Sequence, residues 1–240
     1  MQLAPEPPSP TAGAREPDYG VSDHYLGDKG VKYYASQCGA GEFKAGIQSH
    51  TFAHLVKPTD VVLDFGCGGG FLLRAVNCAR RIGIEINPVA REYARAMGVE
   101  CHAQIADVSE GVADVIISNH ALEHVPYPIG ALRELRLRLK PGGLLALCVP
   151  VDNWRHHRRY DPEDRDHHLH TWTVQLLGNT LYEAGYRIES IRLWAHAWPG
   201  RWTVACYGRL PLWMFKAICY GYALLTGKGR QLVALTRSRD

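Results

Sequence analysis

The stretch that most constrains this chain is Val61-Val62-Leu63-Asp64-Phe65-Gly66-Cys67-Gly68-Gly69-Gly70. A β-branched, apolar run ends at an acid, a glycine cluster follows at once, and the helix-compatible Phe71-Leu72-Leu73-Arg74-Ala75-Val76 comes next. A buried parallel strand that turns sharply into a helix reads this way. The glycines let backbone adopt dihedrals closed to other residues and let a ligand lie against bare peptide. Such a turn faces the carboxyl edge of the sheet, where open α/β folds hold their ligands.

A dinucleotide fingerprint, G-x-G-x-x-G, requires a third glycine where Phe71 stands, and the frame from Gly68 fails at Leu73. A nicotinamide dehydrogenase is therefore disfavoured. The pattern present is D-x-G-x-G-x-G, with Asp64 two places before Gly66; that acid repels a pyrophosphate and suits a cationic or amino-bearing ligand. Ile82, Ile84 and Ile86 predict a second strand, with Glu85 at its carboxyl end, nineteen residues after Gly66. An acid there can accept from both hydroxyls of a ribose. Asn87-Pro88 then predicts a helix start, with Val89, Tyr93, Ala96 and Met97 at helical spacing until Gly98.

Val99 to Gln104 predicts a third strand followed by Asp107, and Ala113-Asp114-Val115-Ile116-Ile117-Ser118-Asn119-His120 a fourth, leading into Ala121-Leu122-Glu123-His124-Val125. Pro126 to Lys140 is an expected amphipathic helix, its solvated face carrying Arg133, Glu134, Arg136 and Arg138; Leu139-Lys140-Pro141-Gly142-Gly143 then turns into a fifth strand, Leu144 to Val149. The glycine turn, Glu85, the D-V-I-I-S-N-H-A-L-E-H-V string and the L-K-P-G-G turn together resemble the class I S-adenosylmethionine (SAM) methyltransferases, in particular types 11 and 12, over about residues 64–150.

The resemblance implies a Rossmann-like, doubly wound α/β sheet of seven strands, mostly parallel with an antiparallel last strand. Tyr186 to His196 and Gln231 to Thr236 are the expected strands six and seven. It implies SAM as cofactor, held by Asp64, Gly66, Gly68, Gly70, Glu85, Ile86, Asn119, Asp107 at the adenine amino group, and Lys44 from a capping segment that also offers Tyr33 and Tyr34. Asp107 reads equally as a plain loop acid, and the capping residues as plain surface packing. The methyl acceptor is expected to be a small molecule whose hydroxyl oxygen is methylated: a sugar, a quinone-like compound or a lipid-linked precursor. The absence of N-P-P-Y or D-P-P-Y after the fourth strand argues against nucleobase or glutamine nitrogen. A hydroxyl acceptor benefits from a base, and His124 and His120 are the first candidates, with His167 and His168 next. The alternative is a SAM-binding protein of this fold without turnover.

Residues 1–20, rich in proline, read as a disordered tail, 21–57 as a cap segment, and 58–240 as the methyltransferase domain. Within that domain, 150–172 forms a polar loop holding five of the twelve histidines, read as a substrate loop or a hydrated one; its spacing matches no zinc pattern, so no metal is expected. The apolar segment at about 209–226, interrupted by Lys216, is too short to span a bilayer and reads as a helix packed on the core; a peripheral membrane contact is admitted but not preferred. A net charge of +3 without a basic run argues against nucleic acid. Seven scattered cysteines and the lack of a basic, then apolar, start point to a reducing, cytoplasmic setting. The sequence says nothing of oligomeric state.

Overall fold

The computed structural model describes residues 19–38, 41–151, 159–162, 164, 166–195, 209–226 and 229–239. Val61–Phe65 forms β1, and every residue from Val62 onward is buried, as a strand covered on both faces requires. Parallel neighbours flank it: β2 (Arg80–Ile84) on one side, β4 (Ala113–Asn119) on the other. With β3 (Glu100–His102), β5 (Leu139–Pro150), β6 (Tyr186–Ala195) and β7 (Arg230–Ser238), the order is β3-β2-β1-β4-β5-β7-β6. Only β7 runs against its neighbours, as expected. Strand order reverses between β1 and β4, which opens a crevice at their carboxyl ends.

Alternation along the strands divides the core. Leu63, Ile82 and Ile116 face one layer, where α5 (Pro128–Arg138) and α6 (Val174–Glu183) cover them. Val62, Val115 and Ile117 face the other, with α2 (Gly41–Phe52), α3 (Phe71–Ala75) and α4 (Pro88–Ala96). The remaining helices are α1 (Gly27–Cys38) and α7 (Leu212–Thr226); Phe215 and Cys219 of α7 pack with Ile47 of α2. Among the described residues no helix is long and apolar enough to cross a membrane. Cys67, Cys78, Cys101, Cys148 and Cys219 are buried and free; Cys67 and Cys101 bring their sulfurs to 3.5 Å without bonding.

Three details depart from the sequence reading. Tyr19 belongs to the fold and not to a tail: it is buried edge-on to Phe65, its carbonyl accepts from the Tyr127 N–H, and its hydroxyl accepts from the Ile105 N–H. Helix α4 buries Ala90 and Ala94 while Val89 and Tyr93 stay exposed, because small residues bring the helix close to the sheet. Arg138 is not on a solvated face. It is buried, its Nε donates to the Ile105 carbonyl at 3.0 Å, and it pairs with Glu134 and Glu110.

Arg138 therefore locks α5 to the turn after β3. Urea unfolding should show Arg138→Ala destabilised by about 2 kcal/mol, the size of a charge-assisted hydrogen bond lost from a buried acceptor. Arg133→Ala, on the exposed part of the same helix, should stay within ~0.5 kcal/mol of the parent. Equal losses would remove the structural role given to Arg138.

Candidate active site

The turn after β1 is built from left-handed backbone: φ is +78° at Gly66, +53° at Gly68 and +76° at Gly70. Gly66 and Cys67 donate their N–H groups to the Ile84 carbonyl, which stitches the turn to the end of β2. A Cβ on Gly66 would sit 2.4 Å from that of Ala121, whereas one on Gly68 would meet nothing within 4 Å. The turn is thus tight against β4's outgoing loop at Gly66 and open at Gly68.

Glu85 reaches across this opening. Its Oε2 accepts from the Gly68 N–H and its Oε1 from the Asn87 N–H, both at 2.8 Å. Burial raises its carboxyl pKa while these two N–H groups work to lower it. A carboxylate has about four acceptor positions, so lone pairs remain for two further donors. Asp64 stands beside it at 2% exposure, and its Oδ1 finds no hydrogen-bond partner among the described residues. Burial, and then the charge of Glu85, push the Asp64 carboxyl up to about 8. A buried carboxyl without a donor is costly, and a cationic group placed next to it would remove that cost.

Both acids line a cavity of about 700 Å³, together with Gly66, Gly68, Ile86, Asn119, Tyr33 and Tyr34. Two residues assigned to the cofactor lie elsewhere. Gly70 caps the start of α3 behind the turn, its Cβ position facing Val99. Asp107 accepts from the Gln104 N–H and closes the 3-10 turn Ile105–Asp107, so its carboxylate serves the backbone and not the cavity. The side chain of Lys44 lies outside the described residues; from the same helix, Gly41, Ala45 and Gln48 line the cavity.

The opposite wall is histidine-rich. His120 leaves β4 with φ +54°, an outlier for a residue with a Cβ, while its N–H donates to the Cys148 carbonyl. Its ring is held between Gln231 of β7 (Nε2 to Oε1, 2.9 Å) and Glu123 (Nδ1 to Oε1, 3.5 Å). Glu123 is fully buried, and its carbonyl accepts from the N–H groups of Leu169 and His170, pinning the histidine loop to this turn. His124 places Nε2 3.8 Å from Glu123 and Nδ1 2.6 Å from the Tyr25 hydroxyl. That hydroxyl also reaches the Asp166 carbonyl at 3.1 Å, and its single proton serves one partner at a time. Burial, reinforced by His168, lowers the His124 pKa to about 4, so its ring is neutral near pH 7.

His168 lines the cavity with its ring 5.0 Å from that of His124. His167 does not line it; its ring stacks on His24 at 4.5 Å. The donor atoms of Glu123, His124 and His168 lie within 4.8 Å of one another, and this is the set among the described residues that can take a divalent cation. His156 and His157 fall outside the described residues. The sequence reading missed Tyr25, Glu123 and Gln231. Glu123 stood in the quoted string between two named histidines, while Tyr25 and Gln231 arrive from distant parts of the chain.

A family profile described as a methyltransferase domain matches residues 42–191. A ubiquinone biosynthesis O-methyltransferase of Nitrosococcus oceani is 37% identical over 94 residues, covering 34% of this chain and 40% of that protein. The chain spans less than half the length of such curated relatives, 40% and 46% in the first two. Among solved structures, the Haloferax volcanii protein in complex with the Trm112 methyltransferase activator superimposes with a TM-score of 0.65 at 18% identity, over 90% of this chain and all of that one. The cyclase SpnF gives 0.56 at 18% identity, over 82% and 81%. At these identities the likeness is one of fold.

The lowered His124 pKa fixes a sign. The unfolded chain takes up this proton near pH 6.5 and the folded chain only near 4, so the contribution to stability is complete above pH 6.5 and is lost as pH falls between the two. Down to pH 4.5 this amounts to on the order of 2–3 kcal/mol. Denaturant unfolding at pH 7 and 4.5 should show a smaller acid loss for His124→Gln than for the parent, and NMR titration should find the His124 ring neutral at pH 6. A ring titrating near 6.5 would contradict the geometry.

Proposed function

Because the chain belongs to the class I SAM-dependent methyltransferase family, we propose that it methylates a hydroxyl oxygen of a small-molecule acceptor, a sugar, quinone-like or lipid-linked precursor. The observation that carries this reading is the pairing of two unlike walls across one cavity: a buried and a half-buried acid with bare backbone on one side, a neutral, half-buried histidine on the other. When bound, SAM supplies an activated methyl on a positive sulfonium, so the hard chemistry belongs to the cofactor.

The residues present fit that cofactor. Asp64 offers its partnerless oxygen to an ammonium, Glu85 offers its remaining lone pairs to ribose hydroxyls, and the open side of Gly68 lets the ligand approach backbone. On the far wall His124 takes the proton that the acceptor hydroxyl gives up, at Nδ1, once the Tyr25 hydroxyl turns to the Asp166 carbonyl, while Glu123 at Nε2 fixes the ring plane. His120 and His168 flank the acceptor position. Oxygen as acceptor is also supported by the relative from Nitrosococcus oceani, an O-methyltransferase by name.

A second reading rests on one contact. The Tyr25 hydroxyl already occupies His124 Nδ1 at 2.6 Å, where an acceptor hydroxyl would otherwise bind. In a protein that holds SAM without turnover that contact would be permanent.

Calorimetry should detect SAM and its demethylated product, with Glu85→Ala weakening both by roughly 10- to 100-fold, the worth of charge-assisted hydrogen bonds. Because Asp64 starts protonated and an incoming ammonium favours its ionised form, affinity should rise between pH 6 and 8 with release of a proton, and Asp64→Asn should flatten that rise. No binding of either ligand would end the proposal.

Transfer of labelled methyl to a panel of hydroxylated acceptors should fall by roughly 10²- to 10⁴-fold in His124→Ala, with product affinity retained. Tight cofactor binding with no transfer to any acceptor would select the second reading.

A further inference from the structure

Helix α7 has two apolar faces, and among the described residues only one of them is packed. Phe215, Cys219 and Ala223, at intervals of four, are buried. On the opposite side Trp213, Tyr220 and Leu224 form an exposed row with Ala217 between them, and Leu225 beside it is 90% exposed. A helix that met only water there would carry polar residues, and Lys216 is the single charge in its length. Isolated exposed apolar residues are ordinary, but a contiguous row with two aromatic members is a contact surface. Edge strand β6, which α7 touches, adds exposed Trp194; its neighbour Leu193 points to the other face of the strand.

Charge identifies the occupant. The chain has 24 acidic residues, yet none falls between positions 190 and 239, where eight are Lys or Arg. Arg209 and Arg230 stand exposed just before and just after α7, and Lys216 lies within it. We propose that this face docks on an anionic lipid bilayer, with Trp213 and Leu225 entering the headgroup boundary and the basic residues meeting the lipid phosphates. A second copy of the chain would bring two basic segments together, which the charge disfavours. At 15 residues and ~1.5 Å per residue the helix is about 22 Å long; it can lie in the interface but not cross a hydrocarbon core of ~30 Å. This alters the preference for a helix that only packs on the core: the inner face packs, and the outer one is left for the lipid.

The position suits the site. The inner face of α7 rests against Ile47 of α2, from which Ala45 and Gln48 line the cavity, and Arg230, just beyond α7, lines it too. Bilayer contact would therefore bring the cavity beside the headgroup layer, within reach of an acceptor carried on a lipid. Docking itself does not depend on methyl transfer; only the choice of a lipid-carried acceptor rests on that reading.

Flotation of the full chain with vesicles of phosphatidylcholine alone, or mixed equally with phosphatidylglycerol, tests it. The chain should float with the anionic vesicles, and about 0.5 M NaCl should weaken that binding several-fold. The double variant Trp213→Glu/Leu225→Glu should lose roughly tenfold or more in vesicle affinity, while its thermal midpoint and its affinity for demethylated SAM match the parent. No flotation of the parent would overturn the proposal, as would a double variant that floats equally well. So would a dimer in sedimentation that the double variant abolishes without any recruitment to vesicles. Failed flotation with cofactor binding intact sinks the docking face alone; loss of cofactor binding in the parent would sink the methyltransferase reading instead.

Discussion

The structure depends most on the carboxylate of Glu85. One oxygen holds the amide of Gly68 and the other holds the amide of Asn87, so a single side chain fastens the glycine turn to the end of β2 and to the start of α4. Asn87 passes the linkage on: its Oδ1 caps α4 by accepting from Val89 and Ala90, and its Nδ2 donates to the Gly30 carbonyl of α1. Helix α1 follows the short turn that carries Tyr25, whose hydroxyl meets His124. A continuous line of polar contacts and short backbone thus runs from the acidic wall to the histidine wall. The described part of the N-terminal segment lines the same cavity.

The two walls differ because both are shielded from solvent in part while charge is treated oppositely. Asp64 and Glu85 are carboxyls driven towards the neutral state by burial, a cost that a cationic ligand can offset. His124 is also driven neutral by burial, which leaves it able to accept a proton and deprives it of the charge that would repel a sulfonium. The same low-polarity environment therefore prepares attraction for a cation on one side and avoids repulsion on the other. Neither effect requires a nucleophilic side chain.

What could be read from the sequence was whatever is local in the chain. The strand, turn and helix from Val61 to Ala75 are fixed by β-branched residues followed by glycines, and Glu85 falls where the next strand must end. Asp107 shows the limit: an acid after a short strand can serve a ligand or close a turn, and here the Gln104 amide claims it. Arg138 carries the helical spacing of a surface residue, yet the Ile105 carbonyl draws it inward, a contact that only the packed structure supplies. Tyr25 meets His124 across 99 positions of chain, and no periodicity reports such a meeting. The apolar segment at 212–226 was legible as a helix, but an exposed apolar face has the same composition as a buried one.

The reversed strand explains why the apolar helix and the site are neighbours. Had the sheet ended on parallel strands, the connection after β6 would have had to cross back over a face. Because β7 runs antiparallel between β5 and β6, the chain leaves the carboxyl end of β6 and re-enters at that same edge, and whatever is inserted between them must sit there. That edge is also where parallel β1 and β4 present Asp64 and His120. Gln231, the second residue of β7, is therefore in place to hold the His120 ring, whose left-handed backbone turns it off the end of β4. A helix placed in this connection begins and ends at the edge that carries the cavity, and α7 meets the cavity through α2, so the basic, apolar character of the last fifty residues bears on what can approach that edge.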